Sequence, residues 1–157
     1  MTTITVATTD LLAVARRYAN PLNWPFAPQF NPHERWYERL ATEQHAEVWI
    51  LSWLPGQGTD VHDHGGSSGA FLVVSGSLTE HTFAGPQSPS PQLSQLRYGT
   101  GQGRSFDRRH IHQVTNAGTE PAVSLHAYSP ALREMTRYRI VDGRLAIASV
   151  ERAGAEW

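Results

Sequence analysis

The sequence predicts a mainly β protein, a sandwich or barrel of short strands behind a brief helical segment, and three observations carry that expectation. From Val48 onward the chain breaks into short runs rich in β-branched and aromatic residues. Turn residues separate those runs: Gly76, the Gly85 to Pro91 loop, Gly99 to Gly103, Gly118 and Asp142-Gly143. The chain has 157 residues, 39% hydrophobic and 17% charged, which suits one compact core and leaves too little net charge for disorder.

The elements follow in order. Thr9 and the stretch DLLAVARRYAN predict a short helix, because Leu11, Leu12, Ala15 and Tyr18 recur at helical spacing and Asn20-Pro21 stops it. The next stretch, NPLNWPFAPQF, holds three prolines and is expected to be irregular, with Trp24, Phe26 and Phe30 packing onto the domain. Asn31-Pro32-His33-Glu34 predicts another helix start, with a capping Asn, Pro at the first helical position and Glu behind it. Trp36 to Thr42 is too short to settle its period and fits either an extended helix or a strand. Glu47 to Leu54 predicts a strand ending at Pro55-Gly56, and further strands are expected at 70–75, 78–83, 93–98, 112–116, 122–128, 135–141 and 144–150. Ala84 to Ser94 reads as an exposed loop. The expected organisation is one domain over 1–157, with a helical or irregular segment at 1–35 packed on strands at 36–150.

Composition excludes several function classes. The formal charge is −1, and basic residues are scattered apart from Arg104, Arg108 and Arg109, so no nucleic-acid partner is expected. No apolar run is long enough to span a membrane, and MTTITVATTD lacks the basic start and apolar core of a leader, so a cytoplasmic location is expected. Without cysteines there is no disulfide, thiolate metal site or cysteine nucleophile. Histidine must then carry any transition-metal chemistry, and five of the eight histidines fall between positions 62 and 112.

His62-Asp63-His64 is the centre of that cluster. Residues two apart on a strand project to one face, so His62 and His64 can share a site while Asp63 points away. His112 is the best third ligand from another strand, with His110 on the same face as its competitor. Histidines suit iron, zinc, copper and nickel alike, so the trio names a metal site and not the metal. His33, His45, His81 and His110 are expected at the surface.

At this point the sequence resembles the cupin superfamily. Gly56, His62, His64 and Gly76 match its first motif, with Ser68 or Gly69 where the usual Glu would fall; His112 and Asn116 match the end of the second, although Asp107 and Arg109 replace its usual Pro and Gly. Loss of the acidic ligand, together with VHDHGGSSGAF, GSLTEHTF, HQVTN and VSLHAYSP in that order, resembles the bacterial members of the cysteine dioxygenase family over Trp36 to Pro130.

The resemblance implies a jelly-roll β-barrel with short N-terminal helices, and one Fe(II) per chain held by His62, His64 and His112. Substrate thiolate and amine would occupy two open metal positions and O₂, the co-substrate, the third. It places Arg39, with Tyr37 in the Tyr-x-Arg segment, on the substrate carboxylate, a task suited to the guanidinium fork. Ser124, His126 and Tyr128 alternate along one strand and would form a hydrogen-bonded relay, with Tyr128 donating to the substrate or to oxygen. Mammalian members crosslink this tyrosine to a cysteine; Gly69 occupies that position here, so Tyr128 should be a free phenol. Trp53 falls where the family has a tryptophan and reads as packing, and Ser129-Pro130 matches a segment that can be cis.

The implied activity is conversion of L-cysteine to cysteine sulfinic acid, a step of cysteine catabolism toward sulfinate and taurine, by a monomer or weak homodimer. The alternatives are a dioxygenase for 3-mercaptopropionate or another small thiol, and a non-thiol metal-binding cupin acting as isomerase, hydrolase or ligand-binding module.

Overall fold

A computed structural model describes residues 9–152; residues 1–8, which carry most of the stretch that argues against a leader, lie outside the described residues. Helix α1 spans Leu11–Arg17, capped by Asp10, whose Oδ1 accepts the Ala13 N–H at 3.0 Å. Asn20 caps a single 3-10 turn at Pro21–Asn23 within the proline-rich stretch. Eleven strands follow: β1 (Trp36–Thr42), β2 (Glu47–Trp53), β3 (Val61–His62), β4 (Ser68–Ser75), β5 (Ser77–Phe83), β6 (Gln92–Gly99), β7 (Gly103–Phe106), β8 (Ile111–Thr115), β9 (Ala122–Ser129), β10 (Glu134–Val141) and β11 (Arg144–Arg152). No helix among the described residues is long and apolar enough to cross a membrane.

The strands form two antiparallel sheets, ordered β1-β2-β9-β4-β7 and β11-β10-β3-β8-β5-β6. This is the expected cupin jelly roll, with two facing sheets rather than one continuously hydrogen-bonded barrel. The five-stranded sheet is covered on both sides. On its outer face Val48 and Ile50 of β2, Ala70 and Leu72 of β4, and Leu125 and Ala127 of β9 pack on Leu11, Val14 and Ala15 of α1. Its inner face carries Trp49, Leu51 and Trp53 of β2 and His126 and Tyr128 of β9 toward a cavity shared with the second sheet. Double coverage explains why β2 reads as a nearly continuous apolar run and why β9, despite its alternating polar residues, is buried on both faces.

Three local expectations change. Asn31 to Glu34 is a bend, not a helix start: Asn31 Oδ1 accepts the His33 N–H at 2.9 Å, and β1 begins too soon for a helix to propagate. Trp36–Thr42 resolves as strand. Gly103, read as part of a turn, opens β7, and a side chain there would collide with the Phe71 carbonyl of β4. Trp24 and Phe26 pack on the α1 side, whereas Phe30 is 43% exposed.

Candidate metal centre

His62 ends β3 and faces His112 of β8 directly across the ladder. His64 lies two residues beyond His62, where the chain leaves the strand. Asp63, pointing away as alternation requires, fixes that departure: its carboxylate accepts the Gly65 N–H at 3.0 Å, the Thr136 N–H at 3.2 Å and the Tyr138 hydroxyl at 2.7 Å. The ring centres of His62, His64 and His112 stand 4.7 to 4.9 Å apart, a nearly equilateral triangle. Each contributes a nitrogen within 4.8 Å of the others, so this trio could hold a metal ion.

The surroundings fit such an ion. His62 Nδ1 donates to the Asp60 carbonyl at 2.7 Å, and His112 Nδ1 to Glu80 Oε2 at 2.7 Å, which leaves both Nε2 atoms to act as donors to a metal. Both ring nitrogens of His64 are buried without a partner among the described residues, a costly state that a bound ion would relieve at one of them. Burial, reinforced by neighbouring charge, pushes His62 and His64 well below the ordinary histidine range, and burial lowers His112 despite the bond to Glu80. All three are therefore neutral at neutral pH, the form that ligates.

A second set, Glu80, His110 and His112, also has metal-ligand spacing. Arg104 already sits on the Glu80 carboxylate at 3.1 Å, and a second cation there would meet its charge. His110 is correspondingly not a surface histidine; its Nε2 donates to Glu80 Oε2 at 2.9 Å.

The cavity beside the triangle has a volume of about 40 Å³ and, among the described residues, no acidic side chain in its wall. Its polar groups are His62, His112, His126, Tyr37, Tyr128, Thr59 and a single cation, Arg35. Arg35 is largely buried, its guanidinium carbon 4.9 Å from the centre of the Trp53 ring. Tyr128 is 7% exposed, and burial raises its phenol well above the ordinary range, so it is a protonated donor.

The structure brings Tyr37 to this cavity but not Arg39, which is exposed and absent from the wall. In the ladder Arg39 faces Trp49, which is in the wall, yet the Arg39 side chain is exposed, whereas Arg35, just before β1, reaches the cavity although alternation gives both the same facing. The Arg35-x-Tyr37 spacing was the available signal for the alternative.

Ser124, His126 and Tyr128 all lie on β9 and are buried. Trp53 Nε1 donates to Ser124 Oγ at 2.8 Å, and an indole N–H can only donate. Ser124 Oγ also shares a 2.8 Å hydrogen bond with His126 Nε2, in which the His126 tautomer sets the donor. Burial lowers His126 to about 3, so it stays neutral. The expected relay stops there: the His126 and Tyr128 rings are 6.5 Å apart, and no hydrogen bond joins them among the described residues. Trp53, read from sequence as packing, is thus also a hydrogen-bond donor to this pair.

The chain is similar to known proteins over most of its length. Residues 4–140 match the family model described as cysteine dioxygenase type I. Cysteine dioxygenase type 1 of Rattus norvegicus is 31% identical over 129 residues, and that of Bos taurus 33% identical over 129. Each match takes in 77% of this chain and 64% of the relative, so the chain spans a little under two thirds of those proteins. Among solved structures, an uncharacterised protein with a double-stranded β-helix domain from Klebsiella pneumoniae superposes with a TM-score of 0.55 at 17% identity, covering 77% of this chain and 90% of that one.

Proposed function

We propose that this chain, which belongs to the cysteine dioxygenase type I family, is an Fe(II)-dependent thiol dioxygenase with L-cysteine as its first substrate. One observation carries the proposal: three buried neutral imidazoles form a triangle, and two of them, His62 and His112, line a small cavity that also holds Arg35 and Tyr128 and, among the described residues, no carboxylate. In the reaction both oxygen atoms of O₂ bond to the thiolate sulfur, the O–O bond breaks, and sulfur is oxidised by four electrons to the sulfinate.

His62, His64 and His112 would hold the Fe(II), which would supply the redox chemistry that joins O₂ to the thiolate. Three neutral histidines add no negative charge, so the substrate thiolate provides the anion that the centre lacks. Arg35 takes the carboxylate role expected of Arg39: it is the cation of the cavity, and Trp53 beneath its guanidinium limits where the fork can point. Tyr37 lines the same wall. Tyr128, kept protonated by burial, donates a hydrogen bond to substrate or oxygen. Ser124 and His126 line up behind it as a neutral pair anchored by Trp53.

Because no acidic side chain lines the cavity, an ammonium group finds no protein counter-charge there. A carboxylate thiol without an amine, 3-mercaptopropionate, therefore competes on the same anchor. The test is oxygen uptake by iron-loaded protein with cysteine, 3-mercaptopropionate, cysteamine and homocysteine, with sulfinate followed by mass spectrometry. The expected result is one O₂ per thiol and a preference for the carboxylate thiols. No uptake with any of the four would overturn the dioxygenase reading. The proposed setting is cysteine catabolism in the cytoplasm.

A further inference from the structure

Glu80 is a charged side chain that is only 1% exposed, yet it does not line the cavity. It stands on β5 behind His112. In the ladder Glu80 faces Val114, so His112 is its diagonal neighbour on the same face of the sheet. One oxygen, Oε2, accepts two N–H groups, from His112 Nδ1 at 2.7 Å and from His110 Nε2 at 2.9 Å. The other, Oε1, accepts from Arg104 Nη1 at 3.1 Å, reaching over from β7 of the opposite sheet. An ionised carboxylate this deep is tolerated only when its lone pairs are met, and all three donors are needed for that. Those bonds hold the group ionised despite its burial, well below the usual carboxylate range.

We propose that Glu80, held in place by Arg104 and His110, is a positioning residue for the metal centre. It fixes Nδ1 as the protonated nitrogen of His112, which turns the Nε2 lone pair toward the ion and makes that nitrogen a better donor. His110 acts at a second point. The Phe106 ring is stacked between His110 (centroids 4.6 Å, 20°) and His64 (4.9 Å, 27°). One imidazole outside the triangle thus bears on two of the three ligands: on His112 through the carboxylate and on His64 through the ring. The inference rests on the reading of His62, His64 and His112 as the metal ligands.

A purely structural role, tying β5, β7 and β8 together, would change stability alone. A positioning role also changes how an ion is held. Metal-free wild type, Glu80→Gln and His110→Gln are titrated with Co(II), following its visible d–d bands, and the metal-free proteins are compared by thermal melting. Glu80→Gln is expected to bind Co(II) about 10- to 100-fold more weakly, with shifted bands. His110→Gln, which leaves the carboxylate charge intact, is expected to lose about 3-fold while melting close to wild type. A folded Glu80→Gln protein with wild-type affinity and bands overturns the inference. Should that variant not fold, His110→Gln and Arg104→Gln decide it, and wild-type affinity and bands in both overturn it equally. Two Co(II) ions per wild-type chain would make Glu80 a ligand instead and overturn it too. Wild type that binds no Co(II) overturns the metal-centre reading itself, whereas unchanged variants of a wild type that binds defeat only the role of Glu80.

Discussion

Arg35 lies with its guanidinium carbon 4.9 Å from the centre of the Trp53 ring, inside the cavity, whereas Arg39 stands exposed on the same strand direction. A charge-assisted contact to a substrate carboxylate is worth on the order of 1.5 to 3 kcal/mol. Arg35→Ala should therefore lower kcat/KM for cysteine by roughly 10- to 150-fold, mostly through KM, while Arg39→Ala should stay near wild type. Steady-state oxygen uptake against cysteine concentration separates the two. The opposite ranking would return the carboxylate anchor to Arg39.

His64 supplies a second expectation because neither of its ring nitrogens has a partner among the described residues. An ion held by the triangle stabilises the folded state alone, by about 2.7 kcal/mol at a hundredfold excess over Kd. For a chain of this size that raises Tm by about 5 to 10 °C. In His64→Leu the unpaired polar atoms are gone, so the metal-free variant should melt at or above metal-free wild type and gain little from the ion. Thermal melts of both proteins with and without Fe(II) under anaerobic conditions check this. A full metal-induced shift in His64→Leu would remove His64 from the ligand set.

How much of this was legible in the sequence depends on which physical rule each feature obeys. Ser124, His126 and Tyr128 follow strict alternation, and His62 and His64 need only a strand end, so both groups could be read from spacing. Arg35, just before β1, and Arg39, on it, obey the same alternation, and spacing alone does not say which of the two side chains turns into the cavity. Glu80, set between threonine and histidine in GSLTEHTF, looks like a solvated strand residue; its burial depends on Arg104 arriving from another sheet, a contact that no local pattern encodes. The two residues of β3 are too few to carry a period, and they become a strand because β8 and β10 flank them.

His126 gives a pH dependence whose sign can be worked out. Burial lowers its folded pKa to about 3, against about 6.5 in an unfolded chain. Between those values the unfolded state binds the extra proton, so this group's contribution is fully present above about pH 6.5 and is lost as pH falls toward 3. The slope is at most about 1.4 kcal/mol per pH unit for one such group. His126→Gln keeps a neutral hydrogen-bonding side chain beside Ser124 but cannot take up the proton. Denaturant unfolding of metal-free protein between pH 4 and 6.5 should show a shallower loss of stability in the variant, because the three other buried histidines titrate in both proteins and cancel. Parallel slopes would mean that His126 accepts its proton without unfolding.

Gly69 stands where the sequence resemblance implies a cysteine in mammalian members of the family. It pairs with Tyr128 across the β4–β9 ladder and with Phe106 across the β4–β7 ladder. A Cβ at Gly69 would meet two Phe106 ring carbons at 2.5 Å and Tyr128 Cδ1 at 3.0 Å. One of the two rings must then move, and Phe106 is itself stacked on His64. Overpacking of this kind costs about 1 to 3 kcal/mol, so Gly69→Ala should lower stability by that amount. It should also weaken metal binding through the displaced Phe106, more than a comparable loss of stability elsewhere would. Gly69→Cys meets the same obstruction and should not gain the mammalian crosslink without first shifting Phe106. Intact mass after iron and cysteine turnover, read beside denaturant unfolding of both variants, checks this. A 2 Da mass loss in Gly69→Cys with wild-type stability would show that the space around Tyr128 is more forgiving than the packing implies.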